Sequence, residues 1–314
     1  IEKLTEAVGA RDIDVHLEAR ALRLIIDQYG PDCRVVGVVV RENMVERCYR
    51  TAKGVVLCAG GFVMNSEMLD QYAPSLKRAT IPIGNPNDTG VGIKLGQSVG
   101  GATLNMHEGF ISLPFYPPAS LTFGILVNSQ GQRFINEDAY HGRVGAYVLA
   151  QTDPVYLIVS VDDYGDYETA SYLGAPVAAT GETLEELLSE LPLPVAATTD
   201  VIERYNADAS DGIDSVWHKS ADWLKPLVPP LVALDCTPGR GAFFPYFTLG
   251  GLDTRVSGEV LNHSGDLIKG LYAAGRTACG VPRRGDGYAS GTSVGDATFS
   301  GRCAGRAAAS KKDE

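Results

Sequence analysis

The segment Gly287-Tyr288-Ala289-Ser290-Gly291-Thr292-Ser293 sets one large phenol among small and hydroxylated residues. In a turn between a strand and a helix, small side chains satisfy packing, so the bulk of Tyr288 is better explained by function than by structure. A phenol donates a hydrogen bond to an oxygen. Ser290 follows two residues on, and Tyr140 lies in Glu137-Asp138-Ala139-Tyr140-His141-Gly142-Arg143. Taken alone, Ser290 is a turn hydroxyl bonded to its own backbone and Tyr140 a surface or hinge aromatic. Neither hydroxyl type is a strong base at neutral pH, since free Tyr titrates near about 10. Proton abstraction through such groups needs an altered environment or a route to water. Arg143 either favours a phenolate or is a surface ion-pair partner.

Metal and thiol chemistry find no pattern to rest on. The five histidines, His16, His107, His141, His218 and His263, show neither an i, i+4 pair nor HExxH. His141 alone stays open as a functional residue, because of its neighbours. Six cysteines are scattered without CxxC, which points to reduced thiols in a cytosolic protein. The remaining chemistry sits at glycines. Lys53 to Phe62 reads as a buried strand running into Gly60-Gly61, where a ligand can approach the backbone. Asn87 to Gly96 reads as a glycine loop opening a short helix whose N-terminus favours an anionic group. A third strand end carries Ala274-Gly275-Arg276. Each of these taken singly is better explained by an ordinary turn.

The elements that must hold these groups alternate strand and helix. Asp14 to Ile26 and Val35 to Val40 read as neighbouring strands, and the short helix after Gly90 stops at Gly100-Gly101. From about Met106 the composition shifts to proline and aromatics (Phe110, Pro114, Phe115, Tyr116), which marks a domain boundary. Beyond it come a hairpin over Gly124 to Phe134, an acidic helix from Thr183 to Leu191 capped by Thr183, and a helix around Val201 to Asn206. Strands return at Phe247 to Leu252 and Leu271 to Arg276, and a small-residue helix runs from after Gly291 to Ala309. Lys311 to Glu314 is a polar end. The 314 residues can bury a large core in two domains, and the net charge of -11 opposes a nucleic-acid partner. No run of about 18 apolar residues and no leader pattern appears, so the expectation is a cytoplasmic protein without a membrane span.

Together and in this order, these segments resemble the FAD-dependent fumarate reductases and, more closely, the 3-ketosteroid Δ4-(5α)-dehydrogenases. The resemblance runs through Gly54 to Leu57, Gly124 to Asn128, Glu137 to Arg143, Phe247 to Leu252 and, most specifically, Gly287 to Ser293. It implies an α/β fold: a partial Rossmann-like FAD-binding domain over residues 1–105 and 247–314, with an inserted α+β substrate-capping domain over 106–246. It implies noncovalent FAD, with Ala21 at the adenine end, Ala59 and Gly60 at the middle, and Gly90 in the loop beside the flavin. Gly275 and Arg276 would lie near the ribityl and diphosphate, Ser293 and Val294 against the isoalloxazine. The GxGxxG fingerprint and its ribose-binding acid are absent from the sequence. The chain is then either a fragment of a longer enzyme that starts after them or a remnant that cannot hold FAD tightly; the completeness of the catalytic motifs favours the fragment.

Fumarate reductases clamp a dicarboxylate with cationic residues. Here the family's His-Thr-x-Gly-Gly has Phe247 in the histidine place, and Arg-x-Gly-Gly-Asn-Ala-Ile-Ser-Asp aligns with Tyr288 to Asp296, so Tyr288 replaces the carboxylate-binding arginine. Tyr164, Asp166 and Tyr167 stand where the proton-donating arginine is expected. The resemblance implies that Tyr288 holds a 3-keto oxygen, that Tyr140 and Ser290 accept the proton, and that flavin takes the hydride before passing electrons to an acceptor of unknown identity. Phe110, Phe115 and Tyr116 line either the entrance or the core. Arg283 and Arg284 are a departure that would suit an acidic substrate. An alternative is therefore reduction of an unsaturated carboxylate with Arg284 as anchor, and a third possibility is a non-catalytic remnant.

Overall fold

The computed structural model describes residues 1–30, 32–114, 119–165 and 173–310. The expectations for Phe115, Tyr116, Asp166, Tyr167 and Lys311 to Glu314 lie outside the described residues.

Two apolar strands, Val55–Leu57 and Leu267–Ala273, pair in parallel, with Glu259–Leu261 antiparallel on the far side of the second. Both parallel strands run into glycine, and the Ala274 amide donates to the Leu57 carbonyl at 3.0 Å, so Gly60-Gly61 and Gly275 emerge side by side. In open α/β sheets the carboxyl ends of parallel strands are where ligands bind. The C-terminal helix, Thr292–Ser310, packs along these strands and buries Ala304 against Tyr272 and Ala274.

A second sheet is antiparallel: Ala19–Ile26, Val35–Glu42 and Val45–Arg50. The first strand starts at Ala19 rather than at Asp14. The third was not anticipated, because Val-Glu-Arg-Cys-Tyr-Arg is exposed at nearly every position and shows no apolar alternation.

Residues 125–235 build a four-stranded antiparallel sheet in the order Val177–Gly181, Leu231–Asp235, Tyr156–Ser160, Ile125–Val127. Successive side chains on a strand point to opposite faces. Leu126, Leu157, Val159, Val232 and Leu234 accordingly enter the main core, whereas Ile125, Val127, Tyr156, Ile158, Leu231 and Ala233 enter a second core under the helices Leu184–Ser189 and Val195–Asp211. Burial on both faces explains why these strands are continuously apolar. The acidic helix is capped as expected, with the Thr183 side chain accepting from the Glu186 amide at 3.2 Å.

A buried ionic network ties this region together. Arg133 donates to Glu137 through Nε (3.1 Å) and Nη2 (2.8 Å) and to Asp214 (2.9 Å). Lys219 Nζ stands 3.3 Å from Glu137 and donates to the Gly124 carbonyl at 2.6 Å. The Leu126 amide completes the Glu137 carboxylate at 2.9 Å.

A small sheet joins Ile81–Pro82 from the first span expected from the sequence, Gly109–Ile111 from the second, and Pro245–Thr248, which crosses the expected boundary between the second and third. It forms one wall of the candidate site. No helix among the described residues is long and apolar enough to cross a membrane.

Candidate active site

Register in the small sheet sets Phe247 opposite Phe110, with ring centroids 5.0 Å apart. The Tyr288 ring packs on both, 4.5 Å from Phe110 and 5.4 Å from Phe247. Its hydroxyl donates to Ser293 Oγ at 3.1 Å, at the start of the C-terminal helix. Phe110 is also 6.3 Å from Tyr140, whose hydroxyl lies 2.8 Å from Ser290 Oγ. One apolar ring thus borders two hydroxyl pairs. Tyr140 is fixed as the residue preceding the helix His141–Leu149, and Gly142 lets Phe110 lie against that helix, since a side chain there would come within 2.3 Å of the ring.

His141 stacks beside Tyr140 with centroids 4.2 Å apart and shares a 2.6 Å hydrogen bond with the buried Ser112 hydroxyl. Burial pushes the imidazole below its ordinary range. Because the folded value is the lower one, the unfolded chain binds this proton first as pH falls. The stability associated with His141 is therefore present above about pH 6.5 and is lost as pH drops from there toward the folded value. The difference in Tm between the wild type and His141→Asn should shrink as pH falls through that window. A gap that widened on acidification would contradict the assignment.

Gly61, Thr248, Arg276, Phe247, Tyr288 and Ser293 share a cavity of about 190 Å³. Its floor is the glycine strand end, held by contacts that sequence reasoning missed. Thr277 donates to the Gly60 carbonyl at 3.0 Å, and Thr248 Oγ1 accepts from the Phe62 amide at 3.3 Å. The signal was a threonine close to glycine in both Phe247-Thr248-Leu249-Gly250 and Gly275-Arg276-Thr277. The Gly90 amide donates to the Gly61 carbonyl at 2.9 Å, which brings the second glycine loop onto the first. Gly60 has φ +76°, and a Cβ there would fall 1.9 Å from Asp88 Oδ1. Gly60→Ala should cost about 1–2 kcal/mol in backbone strain and displace Asp88, seen as a lower Tm and weaker FAD retention. Unchanged values would remove this loop from the site.

The other expected residues fall in different places. Ala59 borders Gly92 in the glycine cradle, and the Gly275 amide donates to Ser300 Oγ at 3.0 Å. Ala21 pairs with Val40 in the antiparallel sheet and is partly buried against the main core. Val294 is exposed, unlike its neighbour Ser293. Arg143 is exposed and forms no ion pair among the described residues, so nothing ties it to the Tyr140 hydroxyl. Arg283 and Arg284 are likewise exposed.

Residues 1–287 match the FAD binding domain family. The chain belongs to that family. Among its relatives, the fumarate reductase (cytochrome) of Shewanella frigidimarina is 29% identical over 335 residues, covering 100% of this chain and 55% of that protein. A solved structure of 3-ketosteroid-Δ4-(5α)-dehydrogenase from Rhodococcus jostii RHA1, in complex with 4-androstene-3,17-dione, is 37% identical with a TM-score of 0.88. It covers 98% of this chain and 62% of that one. The 3-ketosteroid Δ1-dehydrogenase from Sterolibacterium denitrificans, in complex with 1,4-androstadiene-3,17-dione, is 27% identical with a TM-score of 0.76 at 98% and 62% coverage. The FAD-binding chain thus has the α/β fold of the fumarate reductase and 3-ketosteroid dehydrogenase superfamily, and spans about half the length of the Shewanella relative.

The residues present fit FAD. The strand ends at Gly60, Gly61 and Gly275 offer backbone without side chains, and the Arg276 atoms Nε and Nη1 are buried with no hydrogen-bond partner among the described residues. Buried donors of this kind call for an acceptor that the fold itself does not supply.

Proposed function

We propose that this FAD-binding chain forms part of a dehydrogenase that introduces a double bond into ring A of a 3-ketosteroid. The observation that carries the reading is the setting of Tyr288, a phenol packed between Phe110 and Phe247; the resemblance sets it where a dicarboxylate enzyme has an arginine. Such walls suit a flat apolar ketone. The steroid bound in the Rhodococcus relative supports the same substrate class.

In this reading the Tyr288 hydroxyl turns from Ser293 to the 3-keto oxygen and polarises it, which acidifies the adjacent carbon. Tyr140 and Ser290 take the proton released there. Ser290 is exposed, so the proton has a route to water. Noncovalent FAD, when bound, would supply the hydride acceptor for the neighbouring carbon and the relay of its electrons to a separate acceptor. One carbon loses H⁺, the next loses H⁻, and the remaining electron pair forms the C=C bond. Residues 106–246 serve as the cap over the substrate, with 1–105 and 247–314 as the flavin-binding part. Gly90 and Ser293 belong to the flavin contact, and Ala21 to the adenine end.

The test is to supply 5α-3-ketosteroids with an artificial electron acceptor to the FAD-loaded full-length protein, and, separately, fumarate and other unsaturated acids with a reduced dye. Reduction of the acceptor by a 3-ketosteroid is expected. Turnover of the acids alone would replace this reading with the reductase one, which has the Shewanella relative in its favour.

A further inference from the structure

Arg276 follows the strand Leu267–Ala273 and lines the same cavity as Tyr288, Ser293 and Thr248. Its Nη2 donates to the Leu249 carbonyl. Nε and Nη1 are buried and unpartnered among the described residues. Asp296, buried on the C-terminal helix, attracts the guanidinium but is not hydrogen-bonded to it; one carboxylate oxygen accepts from the Val281 amide at 3.1 Å and the other is unpartnered. A guanidinium left with two dry donors is costly until an acceptor arrives.

We infer that Arg276 meets the redox-active ring of FAD rather than its diphosphate, and there holds the negative charge that reduction leaves on the ring. Its cavity supports the ring end: the side chains sharing it include Tyr288 and Phe247, which form the proposed substrate wall. A hydride carries two electrons and one proton, so an uncharged ring that accepts it gains one negative charge. A fixed cation with free donors, sheltered from water, offsets that charge strongly. Burial lowers the guanidinium's own proton affinity, yet arginine stays protonated in proteins.

The inference rests on the FAD-dependent reading above, and its test needs no steroid. The midpoint potential and FAD affinity of the holoenzyme are measured without substrate in wild type, Arg276→Gln and Arg276→Lys, with circular dichroism to verify folding. In the Gln variant, binding of reduced over oxidised FAD should fall about tenfold, equivalent to a potential lower by about 30 mV for a two-electron couple. The Lys variant should stay near wild type, and serves as the test by itself against a misfolded Gln variant: a tenfold loss with the charge retained overturns the inference. An unchanged potential in Arg276→Gln, with affinity weakened equally in both oxidation states, would assign the residue to the diphosphate. Failure of steroid turnover with a lowered potential would overturn the substrate assignment and leave this one standing.

Discussion

Replacing Tyr288 with phenylalanine should slow flavin reduction by a 3-ketosteroid by roughly a hundredfold to a thousandfold, the loss that follows removal of one donor to a developing oxyanion. The ring packs on Phe110 and Phe247 through its faces and edges, which phenylalanine reproduces, so the walls of the cavity are kept. Only the hydroxyl goes. Its partner in the structure is Ser293 Oγ, which also lines the cavity. Rapid-mixing absorbance of the flavin gives both the rate and the amount of FAD bound. An unchanged rate in Tyr288→Phe would take the residue out of the mechanism.

The largest effect on stability is expected at Glu137. Its side chain is wholly buried and faces two cations, Arg133 and Lys219, that are themselves 5% and 0% exposed, so neither can turn to water if the carboxylate is lost. Breaking a buried pair by removing one member costs about 3–5 kcal/mol, because the charge left behind has no compensation. Glu137→Gln should fall in that range by urea unfolding. Burial already holds the Lys219 amine below its ordinary range, so part of the cost is relieved if that amine gives up its proton. Glu137→Gln combined with Lys219→Met should therefore be more stable than the sum of the two single changes. Strict additivity would show that the two groups do not act as a pair. Since Glu137 stands three residues before Tyr140, the variant is also expected to loosen the Tyr140–Ser290 contact.

Much of this site was legible because its signals are local. A double glycine ending an apolar strand, a glycine opening a helix and one tyrosine among small residues each fall within a few positions, and it was their order together that pointed to a flavin site. The Tyr140–Ser290 pairing spans 150 residues and came from resemblance; the structure places the two hydroxyls together. The Glu137 network left no such trace. Arg133 and Glu137 are four residues apart in a stretch that reads as ordinary polar loop, while Asp214 joins them from 81 residues away. Arg276 shows the same limit from another side, since only the packing of its side chain brings it to the cavity it shares with Tyr288. Strand Val45–Arg50 escaped notice because backbone pairing to Val35–Glu42 defines it, with no apolar face to mark it.

The sheet that divides the two cores has a consequence for how this protein can change over time. Along Tyr156–Ser160, consecutive residues answer to different neighbours: Leu157 and Val159 to the body that carries the glycine loops, Tyr156 and Ile158 to the covering helices. Adjacent codons of one strand are thus under separate selection. A substitution that enlarges Leu157 must be accommodated by residues such as Val232 or Leu126, and one at Ile158 by residues such as Ile202 or Leu187. The covering helices can therefore be repacked along a lineage in which the main-core positions of the same strand stand still.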